Sequence, residues 1–143
     1  MTQAKRRKKN LMKLNRLAGI TRSFEIGVND SSMRWAETPA GESLDLVSTS
    51  GLLKVIHACS FSVLEEYLSH EMLAVVVRTE VTHVAPIRMG EEVAVEMSVQ
   101  SPGDDVVVFM GKITCRGKQK AFFSTERRIV NVEQLGRKLS EEN

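Results

Sequence analysis

The sequence predicts an α+β protein in which an antiparallel sheet wraps around one long central helix. Three observations carry that expectation. From Ser48 or Thr49 to about Leu68, apolar residues recur at spacings of three and four, the mark of a helix face packed on a core. Other stretches alternate apolar and polar residues with a period of two, the mark of half-buried strands. The order is strand, long connection, helix, then four strands joined by hairpin-like turns. A sheet with one apolar face must bury it, and the single helix is the available cover.

The first strand runs from Thr21 to Val28, where Phe24, Ile26 and Val28 alternate with Ser23, Glu25 and Gly27. Residues 29–47 read as an irregular connection rich in Asn, Asp, Ser, Pro and Gly, and they hold the single tryptophan, Trp35. A connection this long in a small domain often serves function. A hydroxyl at Ser48 or Thr49 can accept from a backbone N–H one turn further on and so start the helix. Leu52, Ile56, Cys59, Val63 and Tyr67 form its main stripe, widened by Leu53, Phe61 and Leu64, and Ser69-His70-Glu71 ends it. The second strand, Leu73 to Val84, opens on the run Ala74-Val75-Val76-Val77 and then alternates, and Pro86 to Gly90 is a turn. Val93, Val95, Met97 and Val99 alternate through the third strand, closed by Ser101-Pro102-Gly103-Asp104. Val106 to Cys115 and Ala121 to Val132 are the last two strands, joined by the tight turn Arg116-Gly117-Lys118. Residues 133–143 read as a short polar helix or tail.

With 143 residues, 42% hydrophobic and 27% charged, the chain has the make-up of one globular domain. No apolar run approaches the roughly 18 residues that span a bilayer, and none near the N-terminus has the form of a secretory signal. The expected location is cytoplasmic. Cys59 lies in the helical pattern and Cys115 in a strand, where free cysteine acts as a small core residue. No CxxC motif suggests a zinc ribbon or redox site. The net charge of +2 conceals an asymmetry: residues 1–22 hold eight of the 20 basic residues and no acidic one. The rest of the chain sets twelve basic against 18 acidic residues. The division expected is a basic arm over residues 1–20, flexible or a short helix, and a single domain over residues 21–143. Leu11, Met12, Leu14 and Leu17 would give such a helix a weak apolar stripe. A basic arm can hold nucleic acid or an anionic membrane surface, and its plainer reading is a solvated extension.

Three segments carry a resemblance. Ser48-Thr-Ser-Gly-Leu-Leu-Lys-Val-Ile-His-Ala-Cys-Ser60, with Leu64-Glu-Glu-Tyr-Leu68, resembles the central helix of the fluoroacetyl-CoA thioesterase family, whose fold is the hotdog. Val81-Thr-His-Val-Ala-Pro-Ile-Arg-Met-Gly90 is similar to that family's histidine-bearing strand and turn, and Ser124-Thr-Glu-Arg127 to its Thr-His-Glu-Arg. The resemblance covers roughly residues 22–135. It implies a threonine at the start of the helix, a glutamate two turns on and the strand histidine as the functional set. By position these fall on Thr49, His57 and His83. The threonine and the strand histidine are kept, but His57 stands where the family has glutamate, and Val76 where it has a glycine.

Spacing gives part of this independently. Thr49 and His57 are eight residues apart, a little over two helical turns, and so lie on roughly one side. His83 sits at the end of its strand before a Pro-containing turn. The implied chemistry is hydrolysis of a short or medium acyl-CoA thioester, with coenzyme A part of the substrate and no cofactor. Thioester hydrolysis needs a nucleophile, a base to take its proton and donors for the developing oxyanion. Either imidazole titrates in the right range to be the base, and the Thr49 hydroxyl can orient water, donate to the carbonyl or attack it. Without these partners Thr49 is a helix cap, His57 a boundary histidine and His83 a half-exposed strand residue. A metal site is not expected, since no carboxylate joins the two histidines at helical or strand spacing. Arg88 and Arg127 are candidate contacts for coenzyme A phosphates, alongside Lys112, Arg116, Lys118 and Arg128. The resemblance also implies a homodimer, its sheets paired edge to edge and its site near the interface, with further pairing into a tetramer left open. The replaced glutamate supports a rival reading, a hotdog that binds acyl-CoA without turnover. A related dehydratase would need an aspartate in the helix region, and none lies between Val47 and Leu68.

Overall fold

In the computed structural model of the chain, Thr2, residues 16–103 and residues 105–142 are described. Five strands form one antiparallel sheet: β1 (Thr21–Gly27), β2 (Met72–His83), β3 (Glu92–Gly103), β4 (Val106–Cys115) and β5 (Lys118–Asn131). Their order across the sheet is β1-β3-β4-β5-β2. This corrects one expectation. β2 and β3 are not a hairpin: β2 pairs with β5, and the segment after His83 carries the chain across to β3 beside β1. Among the described residues only β3–β4 and β4–β5 are hairpins, the latter closed by Arg116 and Gly117, both at positive φ (53° and 75°) as a two-residue turn between right-twisting strands requires.

Residues 29–47 are less irregular than their composition suggests. They hold a 3₁₀ turn (Ser31–Met33) and a short helix, α1 (Pro39–Ser43), started by Thr38 accepting from the Gly41 N–H at 3.0 Å with Pro39 in the first turn. Isolated bridges from Arg34 to Val47 and from Leu46 to Arg88 pin the connection against the body. The central helix α2 (Thr49–Glu65) follows, three residues shorter than its apolar pattern. A final helix, α3 (Val132–Glu141), is capped by Asn131 and buries none of its residues.

The core lies between α2 and one face of the sheet. From α2 it takes Leu52, Val55, Ile56, Cys59, Val63 and Leu64, all buried. Val93, Val95, Met97 and Val99 of β3, and Val107, Phe109 and Ile113 of β4, meet them at alternate positions. Leu17 is fully buried in the same core. The stripe's other members, Leu11, Met12 and Leu14, lie outside the described residues. Cys59 and Cys115 are both free and buried, and burial pushes the Cys59 thiol up to about 11.

Register along β2 breaks once. Val76 pairs with Arg127 and Arg78 with Glu126, leaving Val77 as the extra residue of a bulge. Before it, Ala74 packs on the core while Leu73, Val75 and Val77 are exposed; after it, Val81 packs on the core while Arg78, Glu80 and Thr82 are exposed. The inward set thus changes from even to odd numbers, as a one-residue slip must cause. Thr79 and His83 face α2 because of it.

β4 crosses its neighbours at Gly111, paired with Met97 on one side and Phe123 on the other. A Cβ there would stand 2.1 Å from the Glu96 carbonyl oxygen and 2.7 Å from the Phe123 ring. Gly111→Ala is therefore expected to cost about 3 kcal/mol or more, since neither a strand backbone nor a packed ring can retreat. Urea unfolding of wild type and variant measures it.

Candidate active site

Helix α2 begins with a division of labour between neighbouring hydroxyls. Ser48 is the cap, its Oγ accepting from the Gly51 N–H at 2.9 Å, and the first intrahelical bond runs from Leu52 N–H to the Ser48 carbonyl at 3.1 Å. Thr49 is thereby relieved of capping, and its Oγ1 lies 3.1 Å from Nδ1 of His83. The His83 Nε2 is buried without a hydrogen-bond partner. Burial holds this imidazole below its ordinary pKa, a shift the backbone of Ala85 partly opposes and the charge of Lys120 reinforces. Thr49 and His83 line a cleft of about 520 Å³ together with Trp35, Leu46, Val84 and Pro86. One carboxylate, Glu37, also reaches it. Trp35 stood out in the sequence only as the single tryptophan of a long connection, and Glu37 was not marked there at all.

His57 is not part of this pair. Its Nε2 lies 2.8 Å from Thr79 Oγ1, which lies 2.8 Å from Thr125 Oγ1. Eight helical residues separate Thr49 from His57, about 12 Å, and four strand residues separate His83 from Thr79, about 13 Å. The two spans match because α2 and β2 lie side by side, linked by one rung at Thr49–His83 and a second at His57–Thr79. Within one chain, then, the position carried over from the family's glutamate does not reach the threonine and histidine carried over with it. His57 too is held below its ordinary pKa, first by burial and then by the positive charge of Arg127.

Arg127 requires a correction. It is 6% exposed, and its donors point inward: Nε to Ser60 Oγ at 3.0 Å, and the terminal nitrogens to the carbonyls of Ala74 at 2.6 Å and His57 at 2.8 Å. A guanidinium committed to tying α2 to β2 is not a phosphate contact. The alternation of β5 held the clue, since Thr125 and Arg127 share the inward parity of Phe123 and Ile129. Arg88 is different: it is exposed, and its backbone bridges Leu46 at the wall of the cleft. Among the described residues no cluster of His, Cys, Asp and Glu could hold a metal ion, and no helix is long and apolar enough to cross a membrane.

Comparison with known proteins places this geometry. Residues 29–133 match the family model described as FlK, fluoroacetyl-CoA-specific thioesterase. No curated protein matches the chain. Among solved structures, a hot-dog-like protein from Thermanaerovibrio acidaminovorans is 24% identical with a TM-score of 0.80, the match covering 90% of this chain and 96% of that one. The fluoroacetyl-CoA thioesterase FlK is 14% identical with a TM-score of 0.74, over 88% of this chain and 96% of that one. A thioesterase superfamily member from Thermus thermophilus is 20% identical with a TM-score of 0.74, over 87% and 93% respectively. The family match spans most of the chain, and the structures share its sheet and helix: this chain belongs to the fluoroacetyl-CoA-specific thioesterase family and has the hotdog fold.

Proposed function

We propose that the protein hydrolyses a short or medium acyl-CoA thioester at Thr49 and His83. The observation that carries this is the 3.1 Å contact between the Thr49 hydroxyl and His83 Nδ1 at the wall of an open cleft. His83, neutral at physiological pH, takes a proton from a water molecule as that water adds to the thioester carbonyl carbon. The carbonyl oxygen gains the negative charge. The backbone N–H groups of Thr49 and Ser50, which precede the first intrahelical bond, and the Thr49 hydroxyl are donors suited to it. Collapse breaks the carbon–sulfur bond, the carboxylic acid forms, and the imidazolium returns its proton to the departing thiolate.

The test is thiol release across a panel of acyl-CoAs, wild type beside Thr49→Ala, with binding measured on the same samples. Turnover that falls at least tenfold in the variant is the expected result. The replaced glutamate favours one rival, a hotdog that holds acyl-CoA without cleaving it, and tight binding with no thiol release in the wild type would establish that instead.

The partner we propose is a second copy. β2 is an edge of the sheet, 12 residues long, with Leu73, Val75 and Val77 exposed to 41%, 40% and 49%. Such an edge invites pairing. The chain is expected to sediment at the mass of two copies, and to shift toward one copy when Val75→Lys places a charge on that edge.

A further inference from the structure

The side-chain hydroxyls at the start of α2 have a fixed direction. Ser48 has one proton, which its Oγ gives to the Met33 carbonyl at 3.0 Å while accepting from the Gly51 N–H. The 3.0 Å contact between Ser48 and Ser50 is therefore a donation by Ser50. Ser50 is exposed and lines the cleft, and with its proton committed its Oγ has only lone pairs to offer a ligand.

A carboxylate lines the same cleft. Glu37 is exposed and has no hydrogen-bond or ion-pair partner among the described residues. Residues 29–47 set Asp30, Glu37, Glu42 and Asp45 against one basic residue, Arg34, and that guanidinium is taken by Asp45 at 2.9 Å. Among the described residues no lysine or arginine lines the cleft; Lys120, whose charge acts on His83, is not on its wall. Trp35 is the third member. Its backbone N–H donates to the Leu46 carbonyl at 2.7 Å. Its six-membered ring packs on α1, where a Cβ at Gly41 would stand 3.0 and 3.1 Å from two ring atoms. An indole so held is a fixed aromatic wall of the cleft. A carboxylate, an aromatic ring and a hydroxyl with only lone pairs free are together suited to an ammonium group, which brings a positive charge and three donors.

Resting on the thioesterase reading above, we propose that the cleft selects short acyl groups that carry an ammonium, with Glu37 and Trp35 as specificity-determining residues and Ser50 Oγ as a further acceptor. The acyl carbonyl stays at Thr49 and His83 while the ammonium end lies against Glu37. Leu46, Val84 and Pro86 give the methylenes between them an apolar wall.

Two isosteric thioesters test the site: β-alanyl-CoA, whose chain ends in an ammonium, and butyryl-CoA, which has a methyl group at the same place. We would measure kcat/KM for each, and dissociation constants where there is no turnover. Wild type is expected to favour β-alanyl-CoA about fivefold to tenfold, the scale of an exposed ion pair joined to a cation–π contact. That preference should shrink as salt rises. Glu37→Gln keeps the shape without the charge and should abolish the preference, and Trp35→Leu should lower it about threefold. Glu42→Gln, on α1 and off the cleft wall, should keep it. Each preference is a ratio within one variant, so a general loss of folded protein cancels. If wild type hydrolyses butyryl-CoA as well as or better than β-alanyl-CoA, or if Glu37→Gln keeps the preference, the ammonium site is overturned and the thioesterase reading stands. If wild type hydrolyses neither, the thioesterase reading falls and binding decides the site. Tighter binding of β-alanyl-CoA that is lost in Glu37→Gln would then support it, and equal binding of the two thioesters would overturn it.

Discussion

Replacing His83 by alanine is expected to lower kcat/KM for thioester hydrolysis by about a hundredfold to ten-thousandfold, the range supplied by a positioned general base. The loss should fall on kcat more than on KM, because the imidazole acts on the proton in flight and not on the bound phosphates or acyl chain. The pH profile separates this role from a structural one. Burial holds the His83 pKa below the ordinary 6.5, and only the neutral ring accepts a proton. Activity should therefore rise with pH through a midpoint below 6.5 and stay level above it. In the alanine variant the residual rate should lack that inflection. A His83→Ala enzyme within threefold of wild type, or one that keeps the inflection, would remove His83 from the reaction. His57→Ala should act less steeply, since its ring is bonded to Thr79 on the other rung.

The second large effect is on stability. Arg127→Ala is expected to cost about 3–5 kcal/mol. The guanidinium satisfies Ser60 Oγ and the carbonyls of Ala74 and His57 at once, and Ser60 is fully buried. Deleting it withdraws three donors at once from this cluster, in which Ser60 Oγ would still donate to the His57 carbonyl at 3.0 Å. It also removes a stem whose head lies 5.9 Å from the Phe61 ring centroid. Arg127→Met retains most of the stem's packing, so the difference between the two variants isolates the polar share. Urea midpoints for both variants and for Ser60→Ala measure it. An Arg127→Ala variant that loses less than about 1 kcal/mol would show that these carbonyls find other donors.

The layered fold was legible because its signals are local. A stripe at spacings of three and four and strands at a spacing of two report which face of each element is apolar. Partner choice among strands is not local: Val93 and Val81 carry the same alternation, yet one lies beside β1 and the other beside β5. Short turns near Pro86 therefore suggested a hairpin where the chain crosses the sheet. At the site, the resemblance pointed to Thr49 and His83, and the structure brings the two together. The spacing that placed His57 on the same side of the helix fixed an angle but not a distance along the axis. Arg127 went astray for another reason. Charge in a composition suggests solvent, and only the buried acceptors around it, drawn from α2 and β2, reverse that expectation.

The extra residue at Val77 gives β2 two independent vocabularies. Upstream of it, substitutions at odd-numbered positions alter what the edge offers to another molecule; downstream, odd-numbered positions write the polar groups set against the helix. A lineage could thus retune assembly through Leu73 and Val75 without disturbing Thr79 or His83. Flattening the bulge with Val77 kept in the ladder would merge the two alphabets and turn His83 away from Thr49, whereas deleting Val77 would leave a regular strand with His83 still facing inward.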